Sequence, residues 1–199
     1  MKRDELRQKL IEGTIHVIAQ DGLDKATTKQ VGLKTNINEA YIYRCFNGKE
    51  DMFAKTFDSL DAELMNVILQ NLDVMYLSGL EIEVRCRVFF FKVWEFLLGN
   101  REKCLAYVRY YYSPYFKNYS VEAHKERFSP VVKKFREHFM EESDVWMILN
   151  HIINVMLDFA IKVHNEQMSS ADNYAEHVFR VIYRSVEQYF KKKEVEGNE

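Results

Sequence analysis

Apolar positions recur at helical spacing from the start of the chain. Leu6, Leu10, Ile11, Ile15 and Ile18 follow a three-to-four-residue period, which predicts a helix near 4–20 that Asp21-Gly22 ends. Thr27-x-x-Gln30 has the spacing of a capping box, so a short helix follows near 28–34. Asn36 sits in a tight connection, where Asn tolerates a left-handed backbone. A third helix is expected near 38–45. Asn47-x-x-Glu50 reads as the start of a long helix to about residue 72. Ser78-x-x-Glu81 opens a helix near 81–98, whose run VFFFKVWEFLL is apolar nearly all round and therefore central. Further helices are predicted near 101–112, ending before Ser113-Pro114, and 121–141, broken at Ser129-Pro130. Ser143 starts another to about 167, and Ser169-x-x-Asp172 a last one to about 192. The tail from Lys191 to Glu199 is expected to be frayed and solvated. No repeat and no strand hairpin is visible.

Composition agrees with this all-α reading. The 199 residues contain only 2 Pro and 7 Gly, against about 10 and 14 at average usage. So few breakers disfavour a β-sandwich or barrel. Hydrophobic residues make up 47% of the chain, ordinary for a globular protein. The start MKRDELRQKL is charged and has no apolar segment, so no signal peptide is expected. No window of about 18 apolar residues is evident, so no membrane span is expected. Cys45, Cys86 and Cys104 are odd in number and form no CxxC pair. Free thiols in a cytoplasmic protein follow.

The net charge of −2 hides an asymmetry. Residues 1–50 hold 9 Lys+Arg and 7 Asp+Glu, net +2, leaving 19 and 23, net −4, for 51–199. A small, mildly basic head precedes a larger apolar body, with a domain boundary near 50. Within the head, the helices near 28–34 and 38–45 are joined by about three residues, which is helix-turn-helix spacing. Val31 and Ile37 can pack inward, Gly32 permits close approach, and Ile42 and Phe46 can anchor the second helix. An ordinary helical hairpin has the same spacing.

The joint pattern resembles a family. Thr27-Thr28-Lys29-Gln30-Val31-Gly32, Asn36-Ile37-Asn38, Ile42-Tyr43-Arg44-Cys45-Phe46 and Gly48-Lys49-Glu50-Asp51-Met52-Phe53 are similar to the tetracycline-repressor (TetR) signature. That signature reads roughly T-T-x-x-I-A, A-G-V-S, L-Y-x-x-F and x-K-E-x-L. The close match covers about residues 6–56. Gly32 stands where Ala is usual, and Asn36 where Gly is usual.

The resemblance implies a DNA-binding set. Thr28 and Lys29 open the second helix, where free N–H groups and the dipole favour a phosphate. Lys49 and Tyr43 are placed for further phosphates, and Arg44 for a phosphate or a guanine edge. Glu39, Ala40 and Tyr41 occupy the start of the recognition helix. Glu39 can accept from a cytosine amino group, and Ala40 can pack on a thymine methyl. A solvated surface group is the plainer reading of each residue alone.

The body is expected to hold an effector pocket and a dimer seam. Phe90, Trp94, Tyr107, Tyr110, Tyr111 and Phe128 are candidate pocket walls, with His151 and Asn154 as polar groups. His151, Asn154 and Asp158 share one stripe of their helix. Plain core is the alternative reading of the aromatic residues. The last two helices carry more apolar positions than one core face absorbs. Ile152, Val155, Phe159, Val163, Phe179, Ile182 and Val186 are therefore candidates for a homodimer interface, where the family resemblance also points. His138, His151, His164 and His177 recur every 13 residues. That step turns about 220°, so they share no face and suggest no metal site. HExxH, Walker, GxSxG and GxGxxG motifs are absent, so no catalysis and no cofactor are expected.

The reading is a dimeric transcriptional regulator, a repressor by family habit, that binds a palindromic double-stranded DNA operator and is released by a small, largely hydrophobic or aromatic effector. Two alternatives stay open: a helical lipid or haem binder without DNA function, and a DNA-bound regulator controlled by a protein partner.

Overall fold

The computed structural model describes residues 2–191; the tail expected to fray lies outside them from 192 onward. Among the described residues the chain is all-helical. The helices are α1 (Arg3–Asp21), α2 (Thr28–Thr35), α3 (Ile42–Cys45), α4 (Lys49–Gln70), α5 (Ile82–Gly99), α6 (Arg101–Tyr111), α7 (Pro114–Tyr119), α8 (Val121–Phe135), α9 (Val145–His164) and α10 (Asp172–Val186). A 3₁₀ turn, Glu39–Tyr41, leads into α3. The one β-like contact among them is an isolated bridge between Phe139 and Phe190.

Local chemistry explains most boundaries. Thr27 Oγ1 accepts from the Gln30 N–H (3.1 Å), and its hydroxyl meets the Gln30 side chain (3.0 Å). Asn36, at φ 53°, closes α2 in the left-handed conformation. Four expectations are corrected. Gly48, not Asn47, precedes α4; the Asn47 N–H instead donates to Asp51 Oδ2 (2.8 Å). Helix α8 runs unbroken through Pro130, because the bond that proline deletes is to the carbonyl of Glu126, and both residues are exposed to water. Asp144, not Ser143, caps α9 by accepting from the Met147 N–H (3.0 Å). Helix α10 ends at Val186, short of 192, where the chain tightens into the turn Glu187–Tyr189. Helix α7, seeded by Pro114 at its first position, was not expected at all.

Helix α9 is long and apolar enough to pass, by length and composition alone, for a membrane span. Here it packs against α5, α6, α8 and α10 and carries an Asp158–Lys162 ion pair (2.6 Å) on its surface.

Two features join head to body. Helix α4 starts in the head and ends against the body core, with Phe53 and Ile68 buried near its two ends. Helix α1 lies along α6. There Arg109 donates to the carbonyls of Ile18 (2.6 Å) and Ala19 (2.9 Å), satisfying acceptors at the open end of α1. His16 and Glu102 meet at 2.7 Å on the same seam.

Candidate nucleic-acid interface and apolar cavity

In the head, α2 and the element 39–45 are held at a fixed angle by close contact. A Cβ on Gly32 would lie 2.8 Å from the Ile37 carbonyl oxygen, so any side chain there forces the turn apart. The Ile37 N–H returns to the Gly32 carbonyl (2.9 Å). Val31, Ile37, Ile42 and Phe46 are buried as the spacing predicts. Asn38 caps the following turn by accepting from the Ala40 N–H (2.9 Å).

This packing leaves a defined set of side chains outside. Lys29, Ala40, Tyr41, Tyr43 and Arg44 are exposed, Tyr43 by 60%. The Arg44 guanidinium lies 5.3 Å from the centre of the Tyr41 ring, an arrangement that pre-orders both. Lys49 lies 5.1 Å over the Phe53 ring and is half-buried. Thr28 is buried, and its hydroxyl donates to the carboxylate of Glu39. As the first residue of α2, Thr28 has a backbone N–H with no partner inside the helix, while its side chain orients Glu39. Arg3, which the signature does not flag, reaches the Arg44 carbonyl (3.5 Å) and adds a cation at the same edge.

The body contains an apolar cavity of about 70 Å³ between α5, α8, α9 and α10. Of the predicted pocket residues, Phe90 alone lines it. Met75, Cys86, Val131, Leu149, Met156 and Tyr183 are among the other walls. Trp94 stacks on Phe90 (5.5 Å) and borders a surface groove instead. Tyr107, Tyr110, Tyr111 and Phe128 do not line the cavity and pack around Phe57 and His124. His124 stacks on Phe128 (5.7 Å) and meets Tyr111 edge-on (5.6 Å), while Phe57 stacks on Tyr110 (4.8 Å). His151 is exposed and bonds Ser185 Oγ (3.0 Å), and Asn154 is half-buried outside the cavity.

Those rings enclose a polar centre that sequence reasoning did not find. Asp61 of α4 is fully buried. It accepts from Arg127, from His124 Nδ1 (2.9 Å) and from the Tyr107 hydroxyl (3.2 Å). Burial, reinforced by the Asp61 charge, pushes the Tyr107 hydroxyl well above its ordinary value. The Asp58–Asp61 spacing was its only sequence signal. Cys86 and Tyr183, at the cavity, are each raised to about 12 by burial.

The candidate seam residues divide. Ile152, Val155, Phe159 and Val163 are half-buried on α9. Phe179, Ile182 and Val186 are buried within the protomer and line the cavity, because the apolar face of α10 turns inward. The outward apolar positions are Met147 of α9 (54% exposed) and Val181 of α10 (58%). Among the described residues no cluster of His, Cys, Asp or Glu could hold a metal.

Residues 10–56 match the family model described as bacterial regulatory proteins, tetR family. No curated protein matches the chain. Several solved structures share its fold. A TetR family transcription regulator from Marinobacter aquaeolei VT8 superposes with a TM-score of 0.75 at 12% identity, covering 95% of this chain and 97% of that one. The fatty acid degradation regulator FadR from Bacillus halodurans gives 0.67 at 14%, covering 88% and 96%. The multidrug binding protein EbrR, complexed with imidazole, gives 0.63 at 12%, covering 96% and 98%.

Proposed function

From the match of residues 10–56 to the family model described as bacterial regulatory proteins, tetR family, we propose that the chain is a cytoplasmic, ligand-responsive transcriptional regulator that represses from a palindromic operator as a homodimer. The observation that carries this reading is the exposed set around the recognition element. Tyr41, Tyr43 and Arg44 stay in water although two of them are large rings, while every apolar neighbour that fixes the element is buried.

Residues 1–50 would form the DNA-binding domain. Lys29, Tyr43, Lys49 and the N–H of Thr28 would hold phosphates. Glu39, Ala40, Tyr41 and Arg44 would face base edges, with Thr28 aiming the Glu39 carboxylate at a cytosine amino group. Residues 51–199 would dimerise and bind the effector. The dimer would pair the outer faces of α9 and α10, through Met147, Val155, Phe159 and Val181. Two heads on one axis then read two half-sites.

The effector would enter the apolar cavity and act by population shift, favouring the arrangement in which the heads no longer match the half-sites. The two relatives whose names mention multidrug binding and fatty acid degradation support small, apolar effectors. The cavity's small volume favours a second reading, control by a protein partner. A thermal shift with small apolar molecules separates the two.

The direct test is selection of binding sites from random duplexes, followed by affinity measurement across salt. The expected site is a palindrome. Affinity should fall by about 10³-fold or more between 50 and 200 mM salt, since phosphate contacts dominate. Salt-insensitive binding, or no selected site, would refute the reading.

A further inference from the structure

We propose that the cavity between α5, α8, α9 and α10 takes a compact, uncharged apolar molecule, such as a monocyclic aromatic, and discriminates against anions and cations of the same shape. The inference rests on reading the body as effector-binding, and it adds the ligand's charge class and size.

Charge exclusion follows from what the walls lack. The only polar atoms among the lining side chains are the Cys86 thiol and the Tyr183 hydroxyl, and burial keeps both protonated. Arg85, behind the Met75 wall, already donates to the Met75 (3.0 Å) and Leu80 (2.9 Å) carbonyls. The imidazole of His138 packs behind Phe135 and is outside the lining. Asp58, Asp61, His124 and Arg127 also lie outside it and bond one another. A charged ligand would therefore lose its hydration without meeting a counter-charge. An anion finds only the Cys86 thiol and the Tyr183 hydroxyl, and a cation only ring faces, and neither offsets the cost of burying an ion.

Size follows from the volume. An apolar cavity of about 150 Å³ accepts benzene, and this one measures about 70 Å³. A single ring then needs the walls to move outward until the space about doubles. Met75 and Met156, flexible and unbranched, are the walls best able to give. The remaining walls favour rings: Phe139 stacks on Phe190 (4.7 Å) and Phe179 on Tyr183 (5.6 Å), leaving edges for contact with a guest.

The test uses the full chain with ¹³C-methyl methionine and three probes of nearly one shape: toluene, benzoate and benzylammonium. Met75 and Met156 line the cavity; Met52 and Met65, buried elsewhere, are internal controls. Toluene is expected to shift the Met75 and Met156 methyl signals and to raise the melting temperature. Benzoate and benzylammonium should bind at least about 100-fold more weakly. Leu149→Phe should fill the space and abolish the toluene response; should it not fold, Val131→Ile, one methyl larger, should weaken that response.

Equal or tighter binding of either ion, or no response to toluene, would overturn the proposal. Toluene that moves Met75 and Met156 but leaves operator affinity unchanged supports the ligand class and refutes the ligand-responsive function. Operator release by benzoate or benzylammonium through this cavity refutes the class and leaves that function standing.

Discussion

Arg127 of α8 grips two carboxylates of α4 at once, one nitrogen on Asp58 and the other on Asp61, which has no exposed surface. The two acids sit three residues apart and so lie on one face of α4. Removing one partner leaves a buried charge without compensation, which costs about 3–5 kcal/mol. Arg127→Met should lower stability by that order, read from urea unfolding at neutral pH, and Asp61→Ala by less, because Arg127 keeps Asp58. A loss below about 1 kcal/mol would show that the grip contributes little.

The packing of α1 on α2 makes a second expectation. A Cβ on Gly13 would lie 2.2 Å from the Thr35 methyl, and Thr35 cannot swing away while its hydroxyl bonds the Val31 carbonyl (2.8 Å). Gly13→Ala should therefore cost about 1–3 kcal/mol. Thr35→Ser keeps the hydroxyl and removes the methyl, so it should recover much of that loss in the double variant. A double-mutant cycle with no coupling between the two sites would reject this account.

On DNA, phosphate and base contacts should separate. Lys49→Ala should weaken binding to all duplexes alike and, with one Lys49 in each head of the dimer, reduce the slope of log affinity against log salt by about 2. Tyr43→Phe should cost about tenfold or more, since each head loses a hydrogen bond to a charged phosphate. Glu39→Ala should instead relax the preference at one base position by about 1–3 kcal/mol. Selected-site sequencing of the Glu39 variant checks this; an unchanged preference at every position would remove Glu39 from base reading.

Stability should also depend on pH through His138. Its Nε2 is buried without a hydrogen bond, and burial, against the opposing charge of Glu137, holds the imidazole below its ordinary 6.5. The unfolded chain therefore takes up the proton first. The contribution is whole above about pH 6.5 and is lost as pH falls from there through the folded value. Urea midpoints should drop between about pH 7.5 and pH 5, and His138→Phe should flatten part of that drop. An identical pH profile in the variant would exclude His138 as its source.

The head was legible from residue types because each boundary there carries its own chemistry. Thr27 caps, Asn36 turns, Gly32 admits Ile37, and none of these needs a distant partner. In the body the same kind of reasoning reached the helices but misplaced the pocket. Tyr107 and Tyr110 have the right chemistry for a wall, yet they close around Asp61, because a buried carboxylate demands donors and Tyr107 supplies one. A cavity is space left where four helices meet, and no single helix encodes it. Phe179, Ile182 and Val186 show the same limit: their period marks an apolar face, but only the packing of α10 decides that it turns inward. Helix α7, at six residues, is too short for any period to declare itself.

The all-apolar lining has a consequence for hydration. A cavity of this kind offers water at most the Cys86 thiol and the Tyr183 hydroxyl, short of the two to four good partners it needs, so it stays dry when empty. A guest then displaces nothing and gains dispersion contacts that the walls previously lacked. Its binding should be driven by enthalpy, in contrast to ordinary hydrophobic association at the same temperature.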